Sequence, residues 1–248
     1  MSAIGNEKVA LVTGGARGIG RAIALALADR GWSVAVCYRT SRQDAEETEE
    51  LLRRRRVRAH AIQADVSDPD AARALIRDVE RRWGRIDALV NCAGPYHRRP
   101  LLEETVEGWR EMFDNNLHPV FYLSQAVAAG MRARRWGRIL TFGMANADQM
   151  VGQTEVTAHY IAKAGLLILT RSLARALAAD GITVNAISPG FIDSGSAPAS
   201  ELAAMVKRIP AGYVGDVQDA VSVACFLLSD EARYVTGTNI HVSGGWGV

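Results

Sequence analysis

The run Thr13-Gly14-Gly15-Ala16-Arg17-Gly18-Ile19-Gly20 has the residue types and spacing of a backbone cradle for phosphate. Lys8-Val9-Ala10-Leu11-Val12 before it reads as a buried strand, and Arg21-Ala22-Ile23-Ala24-Leu25-Ala26-Leu27-Ala28 after it as a helix. A strand that turns through glycines into a helix presents unpaired N–H groups and the positive end of the helix dipole. Gly14 permits the tight turn, Gly18 lets a diphosphate approach the backbone, and Gly20 lets the helix pack closely on the strand. A glycine pattern alone is weak evidence; its position between strand and helix points to a dinucleotide.

The second strand ends at Cys37-Tyr38-Arg39-Thr40-Ser41. A site for NAD carries an acid here to hold the ribose 2′-hydroxyl. Tyr38 stands in that place and Arg39 follows, while Arg17 reaches the same ribose from the glycine turn. Two arginines and no carboxylate favour a 2′-phosphate, hence NADPH/NADP+; the alternative is that both arginines are simply solvated. Asp65 at the third strand's end can accept the adenine amino group, with Val66 as an apolar wall for the ring. Asn91-Cys92-Ala93-Gly94 ends the fourth strand, where small residues such as Ala93 and Gly94 let the sheet backbone meet the ribose. Asn91 taken alone is a turn residue.

These segments need a scaffold that delivers strand ends to one edge. Further apolar strand-like runs are Val34–Tyr38, Ala59–Gln63, Ala88–Asn91, Arg138–Phe142, Thr183–Ser188 and Thr238–Val242. Helical patterns lie between them at Asp44–Arg55, Asp70–Trp83, Thr105–Ala129, Thr157–Ala179 and Val217–Ser229. Such alternation predicts an α/β, doubly wound parallel sheet covered on both faces, with ligands at the carboxyl ends of the strands. No linker or repeat breaks the pattern, so residues 1–248 are expected to form a single domain.

A net charge of +2 implies no nucleic acid partner, and apolar runs of strand length imply no membrane span. Cys37, Cys92 and Cys225 lie far apart, as reduced core thiols rather than a disulfide frame or metal site. With no signal-like start at residues 1–7, the expected location is cytoplasmic. The run Arg53-Arg54-Arg55-Arg56 reads as the solvated end of a helix.

From Lys8 to Trp246 the chain resembles the short-chain dehydrogenase/reductase family, most nearly its 3-oxoacyl-acyl-carrier-protein reductases and more distantly its pteridine reductases. The resemblance rests on Thr13–Gly20, Asp65-Val66, Asn91–Gly94, Asn116-Leu117, Ala162-Lys163-Ala164-Gly165 and Val184-Asn185-Ala186-Ile187-Ser188-Pro189-Gly190. Tyr234-Val235-Thr236-Gly237 and Val242-Ser243-Gly244-Gly245-Trp246 also fit. It implies a Rossmann fold with a seven-stranded parallel sheet, a nicotinamide cofactor, a small-molecule carbonyl substrate, and a homo-oligomer (tetramer or dimer) built on the helices after strands four and five. It also implies that Pro189-Gly190, Ile192 and Ser194 lie over the nicotinamide, with Gly195-Ser196-Ala197-Pro198-Ala199-Ser200 as a substrate lid.

In that family a Tyr gives the proton, a Lys one helical turn later lowers its pKa and holds the nicotinamide ribose, a Ser orients the carbonyl, and an Asn steadies a water relay. Asn116 and Lys163 match. Counting back four from Lys163 reaches His159, and the tyrosine is the next residue, Tyr160. Both i,i+3 and i,i+4 partners lie near one helix face, so either His159 or Tyr160 could serve. His159 is better aligned but less suited as an acid, since a nearby Lys⁺ favours its neutral form. The Ser is absent. Counting outward from strand five puts Met144 in its place, counting back from His159 gives Asn146, and the loop is two residues longer than the family spacing.

Asp148, Gln149, Gln153 and Glu155 read as a solvated loop, and so do His97, Arg98 and Arg99, whose alternative is to attract an anionic substrate. Trp246 either meets another subunit or packs within its own. Two functions remain open: an NADPH-dependent reductase of a small carbonyl (3-oxoacyl-like, or pteridine-type), and an NADP(H)-binding sensor or non-catalytic subunit with little turnover.

Overall fold

The computed structural model describes residues 7–195 and 199–248. In chain order its elements begin with β1 (Val9–Thr13), α1 (Gly18–Ala28), β2 (Ser33–Tyr38), α2 (Arg42–Arg53), β3 (Ala59–Gln63), α3 (Pro69–Trp83) and β4 (Ala88–Asn91). There follow α4 (Val106–Asn116), α5 (His118–Arg134), β5 (Gly137–Phe142), α6 (Thr157–Leu177) and β6 (Ile182–Pro189). The chain closes with β7 (Ile192–Asp193), α7 (Ala199–Val206), β8 (Gly215–Asp216), α8 (Val217–Leu227) and β9 (Asn239–Val242).

The large sheet is seven-stranded, in the order β3-β2-β1-β4-β5-β6-β9, and every pairing is parallel. The central strands are mostly apolar and buried along their whole length because both faces are covered: β1, VALVT, is buried throughout. On one face α3, α5 and α6 pack Leu75, Val79, Leu123, Val127 and Leu177 against Leu11 and Leu89. On the other, α1 and α8 pack Ile23, Leu27, Val221 and Leu227 against Val12, Val34 and Leu140.

Strand order reverses between β1 and β4, which opens a crevice at their carboxyl ends. Cα register pairs Thr13 with Asn91, so the glycine turn and the Cys92-Ala93-Gly94 segment leave the sheet side by side.

Thr105–Ala129, expected as one helix, is two: α4 ends at Asn116 and α5 starts at His118. Pro119 is the reason, since it has no N–H to give the Asn115 carbonyl and its ring crowds that turn. The interruption leaves Asn116 at a helix end, free to reach across to another loop. The short pair β7–β8 and helix α7 had no counterpart in the sequence pattern. Of the expected lid, residues 196–198 lie outside the described residues.

Candidate active site

The glycine turn is built by close approach. Gly14 has φ of +63°, and a Cβ on it would lie 3.0 Å from both N and Cα of Ala93. Gly18 also has a positive φ, +57°. A Cβ on Gly20 would collide with the Gly14 carbonyl. Helix α1 opens at Arg17 with no side-chain cap and no acid in its first turn, so its first amides are left for another acceptor. Thr13 locks the two strand ends together: its Oγ1 accepts from the amides of Cys92 and Ala93, each at 3.2 Å. In sequence Thr13 only opens the glycine motif; in the fold it ends β1 opposite Asn91, the last residue of β4.

A cleft of about 580 Å³ runs from this turn across the sheet edge. Of the expected cofactor residues, Gly14, Arg17, Gly18, Ile19, Gly20, Arg39, Asp65, Val66, Ala93, Gly94 and Ser194 all line it. Arg39 donates to Asn115 Oδ1 at 2.9 Å and stands 3.9 Å from Asp65, so it is oriented within the cleft rather than free in solvent. Asn115 was not foreseen as a cleft residue; it reaches the cleft from the last turn of α4. Asp65 accepts from the amide and hydroxyl of Ser67, and these contacts with nearby Arg39 hold its carboxyl below the usual range against the opposing effect of burial.

Five expected cofactor residues, Asn91, Lys163, Pro189, Gly190 and Ile192, are not among those lining this cleft. Asn91 is buried, its Nδ2 3.5 Å from the Leu140 carbonyl and its Oδ1 without a protein partner. Ile192 packs on Gly215, where β7 and β8 meet. Pro189 accepts from the Ala145 amide at 3.0 Å, and Gly190 admits Ser243 so closely that a Cβ would lie 2.8 Å from its Cα. Pro189 and Gly190 therefore shape the loop after β5 and the C-terminal segment, without lining this cleft.

Past Gly94 the catalytic candidates converge. A Cβ on Gly94 would collide with Asn116 Oδ1 and lie 3.7 Å from Lys163 Nζ. Asn116 Nδ2 donates to the Pro95 carbonyl at 3.1 Å, and its Oδ1, buried, has no protein partner. Lys163 Nζ donates to the Phe142 carbonyl at 2.8 Å. Burial draws its pKa down to about 8. An orphaned acceptor and an ammonium meeting at a glycine too tight for any side chain fit the sugar end of a dinucleotide.

His159 and Tyr160 are neighbours on α6 but point apart. His159 shares the space of Lys163, Pro95 and His97, with Tyr96 edge-on to its ring at 5.1 Å. Its Nδ1 is buried without a partner. Burial first, then the charges of Lys163 and His97, lower its pKa to about 3, against the Pro95 carbonyl, which favours the protonated ring. Tyr160 turns into a separate apolar cluster with Ala147, Leu167, Ala186 and Met144. Its hydroxyl donates to the Asn146 carbonyl at 2.6 Å and accepts from the Val151 amide at 3.1 Å. Of the two proton donors left open by the spacing, Tyr160 therefore has its hydroxyl committed to backbone, away from Lys163. At the place of the missing Ser, Met144 packs into the Tyr160 cluster, and Asn146 takes a left-handed conformation (φ +64°) with a buried, unpartnered Oδ1.

A His that is neutral when folded contributes stability that falls with acid. Between pH 6.5 and about 3 the unfolded chain binds a proton that folded His159 does not, so stability decreases as pH is lowered through that window. His159→Gln is expected to remove this one-proton dependence in pH-resolved denaturation; an unchanged acid limb would contradict a buried neutral imidazole.

The loops around the cleft mouth are neutralised. His97 pairs with Glu104 at 2.7 Å, Arg99 with Glu104 at 3.7 Å, and Arg98 with Glu155. They are not a free cationic attractor for an anionic substrate. Asp148, expected to be solvated, binds His241 at 2.9 Å and Asn239 at 3.3 Å on β9. Trp246 packs on Phe191 within the chain, ring centroids 4.5 Å apart. Among the described residues no acidic, His or Cys cluster suits a metal, all three cysteines are free thiols, and no helix is long and apolar enough to cross a membrane.

Comparison with known proteins gives a consistent set of likenesses. A family model described as enoyl-(acyl carrier protein) reductase matches residues 14–247. The chain is 42% identical over 244 residues to the 3-oxoacyl-acyl-carrier-protein reductase FabG of Staphylococcus aureus, covering 96% of this chain and 97% of that protein. It is 39% identical over 247 residues to FabG of Salmonella typhimurium, covering 96% of each. Among solved structures it resembles a blue fluorescent protein from a metagenomic library in complex with NADPH, at 36% identity and a TM-score of 0.91, covering 98% of this chain and 99% of that one. The acetoin dehydrogenase YohF from Salmonella typhimurium aligns at 32% identity and a TM-score of 0.87, covering 97% and 96%.

Proposed function

Because the chain belongs to the short-chain dehydrogenase/reductase family, and resembles its 3-oxoacyl-acyl-carrier-protein reductases, we propose that it is an NADPH-dependent reductase of a small carbonyl substrate, 3-oxoacyl-like, with an atypical active site. The carrying observation is the meeting of Lys163, Asn116 and His159 beside Gly94, at the end of a cleft lined by Arg17 and Arg39. When bound, the nicotinamide supplies the hydride. The glycine turn holds the diphosphate, Arg17 and Arg39 the 2′-phosphate, Asp65 and Val66 the adenine. Lys163 steadies the ribose and supplies positive charge where the carbonyl oxygen becomes an oxyanion. Asn116 holds a water relay, and His159 stands in the donor's place.

Kept neutral, His159 has its acid form only sparingly near neutrality, so proton delivery is slow while hydride transfer, a matter of geometry, persists. NADPH oxidation followed with acetoacetyl thioesters, quinones and dihydropteridines tests the reading. Turnover with at least one of them is expected, and His159→Phe is expected to lower it at least about tenfold, ~1.4 kcal/mol. No turnover with any, alongside tight NADPH binding, would replace it with the second reading: a sensor or non-catalytic subunit. That alternative is favoured by Met144 at the place of the missing Ser and by the engaged Tyr160 hydroxyl.

Cofactor choice is tested separately. Arg39→Asp removes a charge-assisted contact to the 2′-phosphate of about 1.5–3 kcal/mol. NADPH should bind on the order of ten- to a hundredfold more weakly with NADH unaffected; an unchanged NADPH/NADH ratio would discard the phosphate clamp.

We read the outward apolar side chains Phe121 on α5 and Ile161 and Ile168 on α6, between 42% and 59% exposed, as covered by further copies of the chain in a homotetramer or dimer.

A further inference from the structure

We infer that Tyr160 is a positioning residue whose hydroxyl clasps the loop after β5, holding Met150 and Val151 as an apolar wall over the reactive end of the cleft. The hydroxyl spans the loop, accepting from Val151 N at 3.1 Å and donating to Asn146 O at 2.6 Å. Two non-glycine residues in the same loop, Asn146 (φ +64°) and Met150 (φ +57°), are held in the left-handed region, a cost that fixed outside contacts must offset. Asp148 ties the loop to β9 through His241 and Asn239, and farther along Glu155 and Thr154 accept from the amides of Arg99 and Leu101.

So anchored, the loop leaves Met150 and Val151 exposed, at 73% and 43%, and the segment joined to it through Arg99 and Leu101 exposes Tyr96, Leu101 and Leu102. Exposed apolar side chains on two joined segments, one of which sets Tyr96 against His159, suit a substrate that carries an apolar group away from the reacting carbonyl. The clasp does not depend on turnover; its part in choosing substrate rests on the reductase reading.

Tyr160→Phe keeps the ring in its apolar cluster and removes only the hydroxyl. Amide hydrogen exchange on the intact protein should then speed at least about tenfold at Val151, which loses its acceptor, with exchange in β1 and β4 unchanged. KM for a medium-chain 3-oxoacyl thioester should rise at least about fivefold, with kcat, NADPH affinity and the pH profile of kcat/KM conserved. Unchanged exchange at Val151 would overturn the clasp. Loss of an ionisation from the pH profile together with a fall in kcat at constant KM would overturn it in favour of an acid role. Faster exchange at an unchanged KM would overturn the specificity role while leaving the reductase reading standing; absence of turnover in the unsubstituted protein would remove both.

Discussion

Lys163→Met is expected to lower kcat/KM for the carbonyl substrate on the order of a hundred- to a thousandfold, the loss found when a preorganised donor to an oxyanion is removed. Methionine nearly fills the lysine volume in a core position that is only 8% exposed, so packing is kept and the charge is lost. The Phe142 carbonyl loses its donor at the same time. The effect should fall mainly on kcat, because the glycine turn and the two arginines proposed to hold the nucleotide line the other end of the cleft. The same variant reports on His159. Burial is the largest depressor of the imidazole pKa and Lys163 the second, so the pKa should rise above about 3 yet stay below 6.5. Full turnover in Lys163→Met would remove the electrostatic role; an unmoved His159 titration by NMR would remove the coupling between the two.

Gly20→Ala should weaken NADPH binding by at least about a hundredfold, ~3 kcal/mol. An alanine Cβ there runs into the Gly14 carbonyl, and the next nearest atoms, Gly14 C at 2.9 Å and Gly15 Cα at 3.2 Å, are also backbone. No side chain is available to swing aside, so the turn must open and the amides that would face the diphosphate are displaced. Overpacking of this kind costs about 1–3 kcal/mol of fold stability, so melting should fall together with binding. Calorimetry checks the first effect and thermal unfolding the second. Retained affinity would mean that the nucleotide does not use this turn. Gly18, whose added Cβ would meet only Ser194 Cβ at 3.5 Å, offers a milder comparison. Its positive φ still strains an alanine, but no backbone atom blocks one.

Local chemistry made the cleft legible. A strand, a glycine turn and a helix are consecutive in the chain, so Gly14, Gly18 and Gly20 mark the sheet edge by spacing. Arg39, Asp65, Ala93 and Gly94 do so by following strands that a parallel sheet must end at one edge. Alternating apolar runs likewise determined the doubly wound sheet, since strands buried on both faces have no other way to cover their surface.

What the spacing left open was decided between elements distant in sequence. His159 and Tyr160 differ by one step of about 100° around α6, and both pointed plausibly toward Lys163 on a helical wheel. Only the lengthened loop after β5, folding back to offer Asn146 O and Val151 N, draws the tyrosine hydroxyl away. Where Asn91, Ile192, Pro189 and Gly190 lie relative to the cleft is decided in the same way: whether a strand-end residue meets the cleft or the layer below depends on neighbours the linear sequence does not bring together. Sequence by itself specified which groups stand at the sheet edge; tertiary packing alone determined their partners, because a hydroxyl or imidazole is directed by whichever buried acceptor lies within hydrogen-bonding reach.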